Sequence, residues 1–176
     1  MQFIIHIVVI LSAVIYVFFV KDINHTEHNK NCGKVAYIFS ILFSALIFIG
    51  RFAGISALLT SDPVKSVLNF YGDYSISRNI ELLSWTTLFP VSVLFLGVIF
   101  IKEGKYGIIL SGLCFTSALC CFIAFMCLFS SSFIFFLIGL TGWGALFIMI
   151  IIMYIIYRKK RKIISLRSKF RSMDPP

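Results

Sequence analysis

Three ionisable side chains lie within or at the end of long apolar stretches of this sequence, and their types make them the first candidates for chemistry. They are His6, Arg51 and Glu81. A charged side chain inside a membrane span costs about 2.5–3.5 kcal/mol on insertion scales, so such groups usually pair with one another or face water. We predict Glu81 as the first candidate partner for Arg51 and Asp62 as the second.

The position of Arg51 leaves two interpretations open. It lies about 16 residues into the apolar run 35–59, which is roughly 24 Å along a helix and near one membrane surface. Its guanidinium group then either extends to the lipid headgroups or makes an internal ion pair or ligand contact. His6 lies near the same surface in the topology derived below. We expect its ring to be neutral and hydrogen-bonded within the protein.

Small residues around these positions indicate close helix packing. Gly50 and Gly54 flank Arg51 in a GxxxG pattern, which allows two membrane helices to approach closely. Gly139 and Gly142 form a second group of small residues near the end of the chain. We predict helix packing, rather than ligand binding, for all four glycines.

The remaining reactive residue types form no recognisable catalytic pattern. The spacing of His25, His28 and Cys32 would suit zinc on one helix face, but no fourth ligand is evident, and we interpret this stretch as a polar loop. Four cysteines lie in one apolar run without a CxxC pair, and free cysteine packs as a small hydrophobic residue; they are Cys114, Cys120, Cys121 and Cys127. The sequence contains no phosphate-binding loop, no nucleophile elbow and no HExxH motif. We therefore predict no catalytic residues, no cofactor and no metal site, and we expect the protein not to be an enzyme.

Apolar runs of membrane-spanning length carry these residues. The chain is 60% hydrophobic and only 13% charged, whereas about a quarter of the residues in a soluble chain are charged. Its last apolar run, 133–157, has no charge and is long enough to cross a bilayer core of about 30 Å as a helix. The sequence predicts an all-α, polytopic transmembrane helix bundle with five spans, at about 3–20, 35–59, 81–101, 106–129 and 133–157.

Two connections and one proline refine this prediction. The short turns at 102–105 and 130–132 favour antiparallel packing of the last three spans. Pro90 lies inside the third span, where it removes a backbone donor and favours a kink. The hydroxyl groups of Thr86 and Thr87 are then expected to help satisfy the freed backbone groups. An alternative with four spans applies if the first run is a cleaved signal.

Basic residues set the predicted orientation. Eight of the sixteen Lys and Arg residues lie in the tail 158–176, directly after the transmembrane domain 1–157. With the C-terminus in the cytoplasm and the N-terminus outside, thirteen of the sixteen lie on the cytoplasmic side, and 60–80 is an external loop. We predict that the first basic residues of the tail bind anionic lipid headgroups, not nucleic acid; they are Arg158, Lys159, Lys160, Arg161 and Lys162.

These features favour a non-enzymatic protein of the plasma (inner) membrane that recognises another membrane protein, a pore-former or a second copy of itself. The spans and the loop 60–80 would provide the contacts. In size and layout, though not in any particular residue, the chain resembles small inner-membrane proteins that give bacteria immunity or exclusion. The alternative is a small transporter or channel subunit that uses Arg51, His6 and Glu81. A membrane enzyme that uses Cys or His is a third interpretation.

Overall fold

The computed structural model describes residues 2–26, 30–59, 75–101, 103–129 and 133–171, and all regular structure within these ranges is helical. Two π-helical segments, Ser84–Leu88 and Thr141–Leu146, join helices end to end, and the 3₁₀ turn Phe125–Leu128 ends another. The α-helices are α1 (Gln2–Thr26), α2 (Lys30–Leu59), α3 (Ile76–Leu83), α4 (Phe89–Phe100), α5 (Gly104–Ala124), α6 (Phe133–Leu140) and α7 (Phe147–Arg171).

Five helical stretches are long and apolar enough to cross a bilayer. The predicted all-α fold with five membrane-length helices is therefore confirmed. The third and fifth stretches are composite, since each contains one π-helical segment between two α-helices. We name them spans one to five in chain order: Ile4–Asn24, Asn31–Ser56, Ile76–Phe100, Gly104–Ala124 and Phe133–Lys162.

The helices extend beyond the predicted apolar runs. α1 and α2 take up much of the polar stretch 21–34, and α7 continues through the basic tail as far as Arg171. Charged residues are compatible with a helix, and no proline or glycine interrupts α7. α3 begins inside the predicted loop 60–80, where Ser75 caps it by accepting a hydrogen bond from the Arg78 amide at 3.2 Å. Residues 60–74, and with them Asp62, lie outside the described ranges.

A distortion in span three accompanies Pro90, as the sequence predicts, but the hydroxyl groups act elsewhere. The π-helical segment ends just before Pro90, and the Phe89 amide donates to the Ser84 carbonyl five residues back. Thr86 and Thr87 donate their hydroxyl hydrogens to the carbonyls four residues before them, at 2.7 and 2.5 Å. They therefore support the turn on the N-terminal side of the distortion.

Aromatic rings from four spans fill the centre of the bundle. Tyr16 lies 5.7 Å from Phe43 and 5.2 Å from Phe89, measured between ring centroids. Phe147 from span five packs against the same tyrosine at 5.2 Å. Tyr16, Phe43 and Phe89 are all buried. This aromatic core holds spans one, two, three and five together.

The spans differ in how much of their surface the protein covers. Within an 18-residue apolar stretch of each span, half of the residues of span three are buried inside the bundle, against 17% in span five and 22% in span one. Span three is therefore central, while spans one and five present most of their side chains outward. Outward apolar side chains are what a lipid environment accommodates.

Candidate functional site

The three ionisable residues predicted from the sequence meet at one site, which we call the polar triad: His6 from span one, Arg51 from span two and Glu81 from span three. Arg51 donates through Nη2 to Oε1 of Glu81, and its Nη1 lies 3.2 Å from Nδ1 of His6. Their exposed fractions are 1%, 5% and 7%, so the triad is enclosed by the protein. The sequence left internal pairing or extension to the headgroups open for Arg51, and the structure shows internal pairing.

The glycines of the GxxxG pattern make room for this meeting. A Cβ atom added at Gly54 would lie 2.9 Å from Cε1 of His6, and one added at Gly50 would lie 3.1 Å from the carbonyl oxygen of Ser77. Span one therefore approaches α2 at Gly54, and span three approaches it at Gly50. Both glycines pack within the bundle, so this face of α2 is not open to another protein.

Glu81 has a second donor in the next helical turn. Nε1 of Trp85 lies 3.4 Å from the same Oε1 atom that Arg51 contacts. The other carboxylate oxygen is buried and accepts no hydrogen bond from the described residues. An ion pair in such a low-dielectric setting is strong as an attraction, but it must offset the cost of removing both charges from water. The triad can thus hold three spans in a fixed arrangement.

Aromatic side chains close the interior next to the triad. The Trp85 ring lies 4.6 Å from Phe43, 5.3 Å from Phe89 and 4.7 Å from Trp143 of span five, measured between centroids. These rings continue into the aromatic core around Tyr16. They lie between the triad and the opposite end of the bundle, where the basic residues of α7 are found.

Neutral hydrogen bonds also cross the bundle at this layer and beyond it, and they were not identified from the sequence. Tyr16 donates its hydroxyl hydrogen to Oγ of Ser92 at 2.7 Å, and Ser92 donates in turn to the Ala36 carbonyl at 2.7 Å. Ser44 donates to the Ala13 carbonyl at 2.9 Å. Single serines in otherwise apolar runs were the available signal, because a buried hydroxyl group needs a partner.

At the opposite end of the bundle, Arg158 forms an ion pair that the sequence analysis also missed. Its guanidinium group lies 2.5 Å from Oδ2 of Asp22 in α1, and Tyr154 donates to the same oxygen at 3.1 Å. Close to half of each charged side chain is exposed. This pair therefore joins span one to span five at the surface.

Arg161 forms a similar ion pair with the turn between spans three and four. It lies 3.7 Å from Oε2 of Glu103, and Tyr157 donates to the same oxygen at 2.5 Å. Lys160 lies 4.3 Å above the Tyr106 ring. Arg161 and Lys160 are thus partly occupied with protein contacts, as Arg158 is. The signal in the sequence was the helical spacing of tyrosine and arginine along α7.

The two glycines of span five that the sequence predicts as packing residues, Gly139 and Gly142, lie against span four. A Cβ atom at Gly142 would lie 2.8 Å from the Ser117 carbonyl, and Ser117 donates its hydroxyl hydrogen to the Gly142 carbonyl at 2.7 Å. One at Gly139 would lie 2.6 Å from Cβ of Ala124. Spans four and five therefore approach closely at these glycines.

Two of the cysteines are enclosed in the core. Cys114 and Cys121 have no exposed surface, whereas Cys32 and Cys120 are partly exposed. The side chain of Cys127 lies outside the described residues. A thiol without exposed surface cannot meet a substrate unless the helices separate.

Five apolar helices of membrane-spanning length, three of which meet at a buried polar cluster, have the architecture of a multi-pass membrane protein. The chain matches no protein-family model, no curated protein and no solved structure.

Proposed function

We propose that this protein acts by binding another membrane protein within the bilayer, without catalysing a reaction. The observation that carries the proposal is that its chemically distinctive groups face one another. Arg51 is occupied by Glu81 and His6, and the polar triad adjoins closely packed aromatic rings. Since these groups hold the bundle together, recognition of a partner is the simplest role that remains for the protein.

The outward surface supports the same proposal. Spans one and five are mostly uncovered, and both carry large apolar side chains that face away from the bundle, among them Val8 and Ile148. In lipid, such side chains gain little by contacting each other, so a partner would be recognised by fit and by polar contacts. The GxxxG face of α2 packs internally and does not contribute to this outward surface.

The basic end of the bundle supports a location in the plasma (inner) membrane with that end in the cytoplasm. The positive-inside bias of the sequence is the ground for this orientation. Immunity or exclusion directed at a pore-forming protein is one form that such recognition would take, and assembly with a partner subunit is another.

Site-specific photo-crosslinking in native membranes tests the proposal. We expect a crosslinkable residue at Val8, Leu119 or Ile148, which face outward, to capture one discrete membrane protein, and the purified pair to re-form a complex in lipid. The matched controls are Leu110 and Ile150, which are fully buried and should give only intramolecular products. Crosslinks to lipid alone from all three outward positions would refute the proposal.

The polar triad is also the observation that favours the alternative, a small transporter or channel subunit. Ionisable groups inside a membrane bundle often mark ion or proton pathways. Their enclosure next to an aromatic layer makes this the weaker candidate. Ion or proton flux in reconstituted vesicles that Arg51→Ala abolishes would favour transport over recognition.

A further inference from the structure

An outward-facing groove of about 780 Å³ lies between α1 and α7 at the basic end of the bundle. Its volume falls within the range of small-molecule sites in proteins. Its lining is apolar toward the membrane-spanning part of α7 and basic toward the end of the bundle; the residues that matter here are Phe19, Ile151, Ile155, Lys159 and Lys162. The groove shares no residue with the polar triad, and it lies nearer the basic end of the bundle than the outward residues Val8 and Ile148.

The helical spacing of α7 places the apolar and the basic residues that line the groove in one stripe along the same side of the helix. Ile151 and Ile155 are four residues apart, Lys159 follows after four more, and Lys162 lies three beyond it. Residues three and four apart are neighbours on a helix surface. From Ile151 to Lys162 the stripe runs about 16 Å along the axis, from apolar span to charged end.

The charges around the groove leave it positive. Asp22 also lines it, but its carboxylate is 2.5 Å from Arg158, and Glu103 lies 3.7 Å from Arg161. Within the described residues, neither Lys159 nor Lys162 takes part in an ion pair. Both side chains are exposed. They are therefore the groups that remain to meet an added negative charge.

From this arrangement we infer that the groove binds one anionic phospholipid. Lys159 and Lys162 would hold its phosphate, and an acyl chain would lie against Phe19, Ile151 and Ile155. Basic pockets between membrane helices bind anionic lipid headgroups in this way. The apolar wall, which continues into the membrane-spanning part of α7, is the reason to prefer a lipid over a soluble phosphate.

Native mass spectrometry of the full chain in detergent micelles, titrated with phosphatidylglycerol or phosphatidylcholine, tests the inference. We expect one phosphatidylglycerol to bind in preference to phosphatidylcholine. The double variant Lys159→Gln/Lys162→Gln should bind it about 30-fold more weakly, from about 1 kcal/mol per basic residue near the membrane surface. Both lysines are exposed, so the variant should fold, and circular dichroism checks this.

The matched control is Lys34→Gln/Lys105→Gln, which removes the same charge from two exposed lysines outside the groove. We expect its affinity to stay within about 3-fold of the unmodified protein. Equal losses of affinity in the two double variants would mean that the lipid responds to the general surface charge of the protein, and this would overturn the inference. Displacement of the bound lipid by glycerol 3-phosphate would also overturn it, because the acyl chain would then contribute nothing.

Discussion

Replacing Glu81 and replacing Arg51 should each break their ion pair but destabilise the bundle by different amounts. Glu81→Leu leaves a guanidinium group in the interior, and arginine cannot lose its proton in proteins. Arg51→Met leaves a carboxyl group, which can take up a proton and become neutral. The pair is enclosed, with side chains only 6% and 9% exposed, so solvent offers little relief to either remaining group.

The expected losses in the free energy of unfolding differ because the remaining guanidinium group stays charged, whereas the remaining carboxyl group can become neutral. Removing one partner of a buried ion pair costs about 3–5 kcal/mol when a charge is left behind, and we expect that range for Glu81→Leu. A neutral polar group left without its partner costs about 1–3 kcal/mol, which we expect for Arg51→Met. The double variant should lie within about 1 kcal/mol of the unmodified protein, because replacing both members of a buried pair by apolar residues is often neutral.

Reversible unfolding in mixed detergent micelles, followed by far-ultraviolet circular dichroism, measures these free energies. The exposed pair Asp22–Arg158 provides the matched control, with side chains 44% and 47% exposed. Asp22→Leu and Arg158→Met should each change the free energy of unfolding by no more than about 1 kcal/mol. If Glu81→Leu costs no more than Asp22→Leu, the Arg51–Glu81 pair does not hold the spans together.

Three further predictions concern packing, accessibility and orientation. Gly54→Val should cost about 1–3 kcal/mol in the same unfolding assay, because its Cβ would lie 2.9 Å from a ring carbon of the polar triad; Gly112→Val, with no atom within 4 Å, should not. Cys114 and Cys121 should stay unlabelled by a maleimide in intact membranes and react once the bundle is unfolded in detergent; labelling without unfolding would contradict their burial. In a cysteine-free background, Lys105→Cys should react with an impermeant maleimide in inside-out vesicles but not in intact cells, and the reverse pattern would overturn the predicted orientation.

The number of spans was predictable from the lengths of the apolar runs in the sequence. Each apolar run must be long enough to cross the hydrocarbon core, and each charge inside one is costly enough to be conspicuous. Glu81 was predictable in the same way as the first candidate partner for Arg51, and the structure pairs them. Whether the triad also has a functional role stays a prediction.

The interactions at the basic end were not predictable in the same way. Which side chain meets Asp22 or Glu103 depends on how each helix is rotated about its axis, and hydropathy does not determine that rotation. Arg158 and Arg161 were therefore assigned to lipid alone, whereas the structure gives each a carboxylate partner. The π-helical segments were missed for a related reason, since only Pro90 gave a local signal for one of them.

A membrane bundle would retain a buried ion pair because the pair fixes how each helix is rotated about its own axis. Apolar side chains contact lipid about as favourably as they contact each other, so they specify rotation weakly, whereas a rotated helix would expose Arg51 or Glu81 to hydrocarbon. The double variant Arg51→Met/Glu81→Leu should then keep its stability and lose its unique packing. The two tryptophans of the chain report on this, because Trp85 and Trp143 lie 4.7 Å apart between centroids. We expect the near-ultraviolet dichroism to weaken while the helical signal stays; an unchanged near-ultraviolet spectrum would show that the aromatic core alone fixes the arrangement.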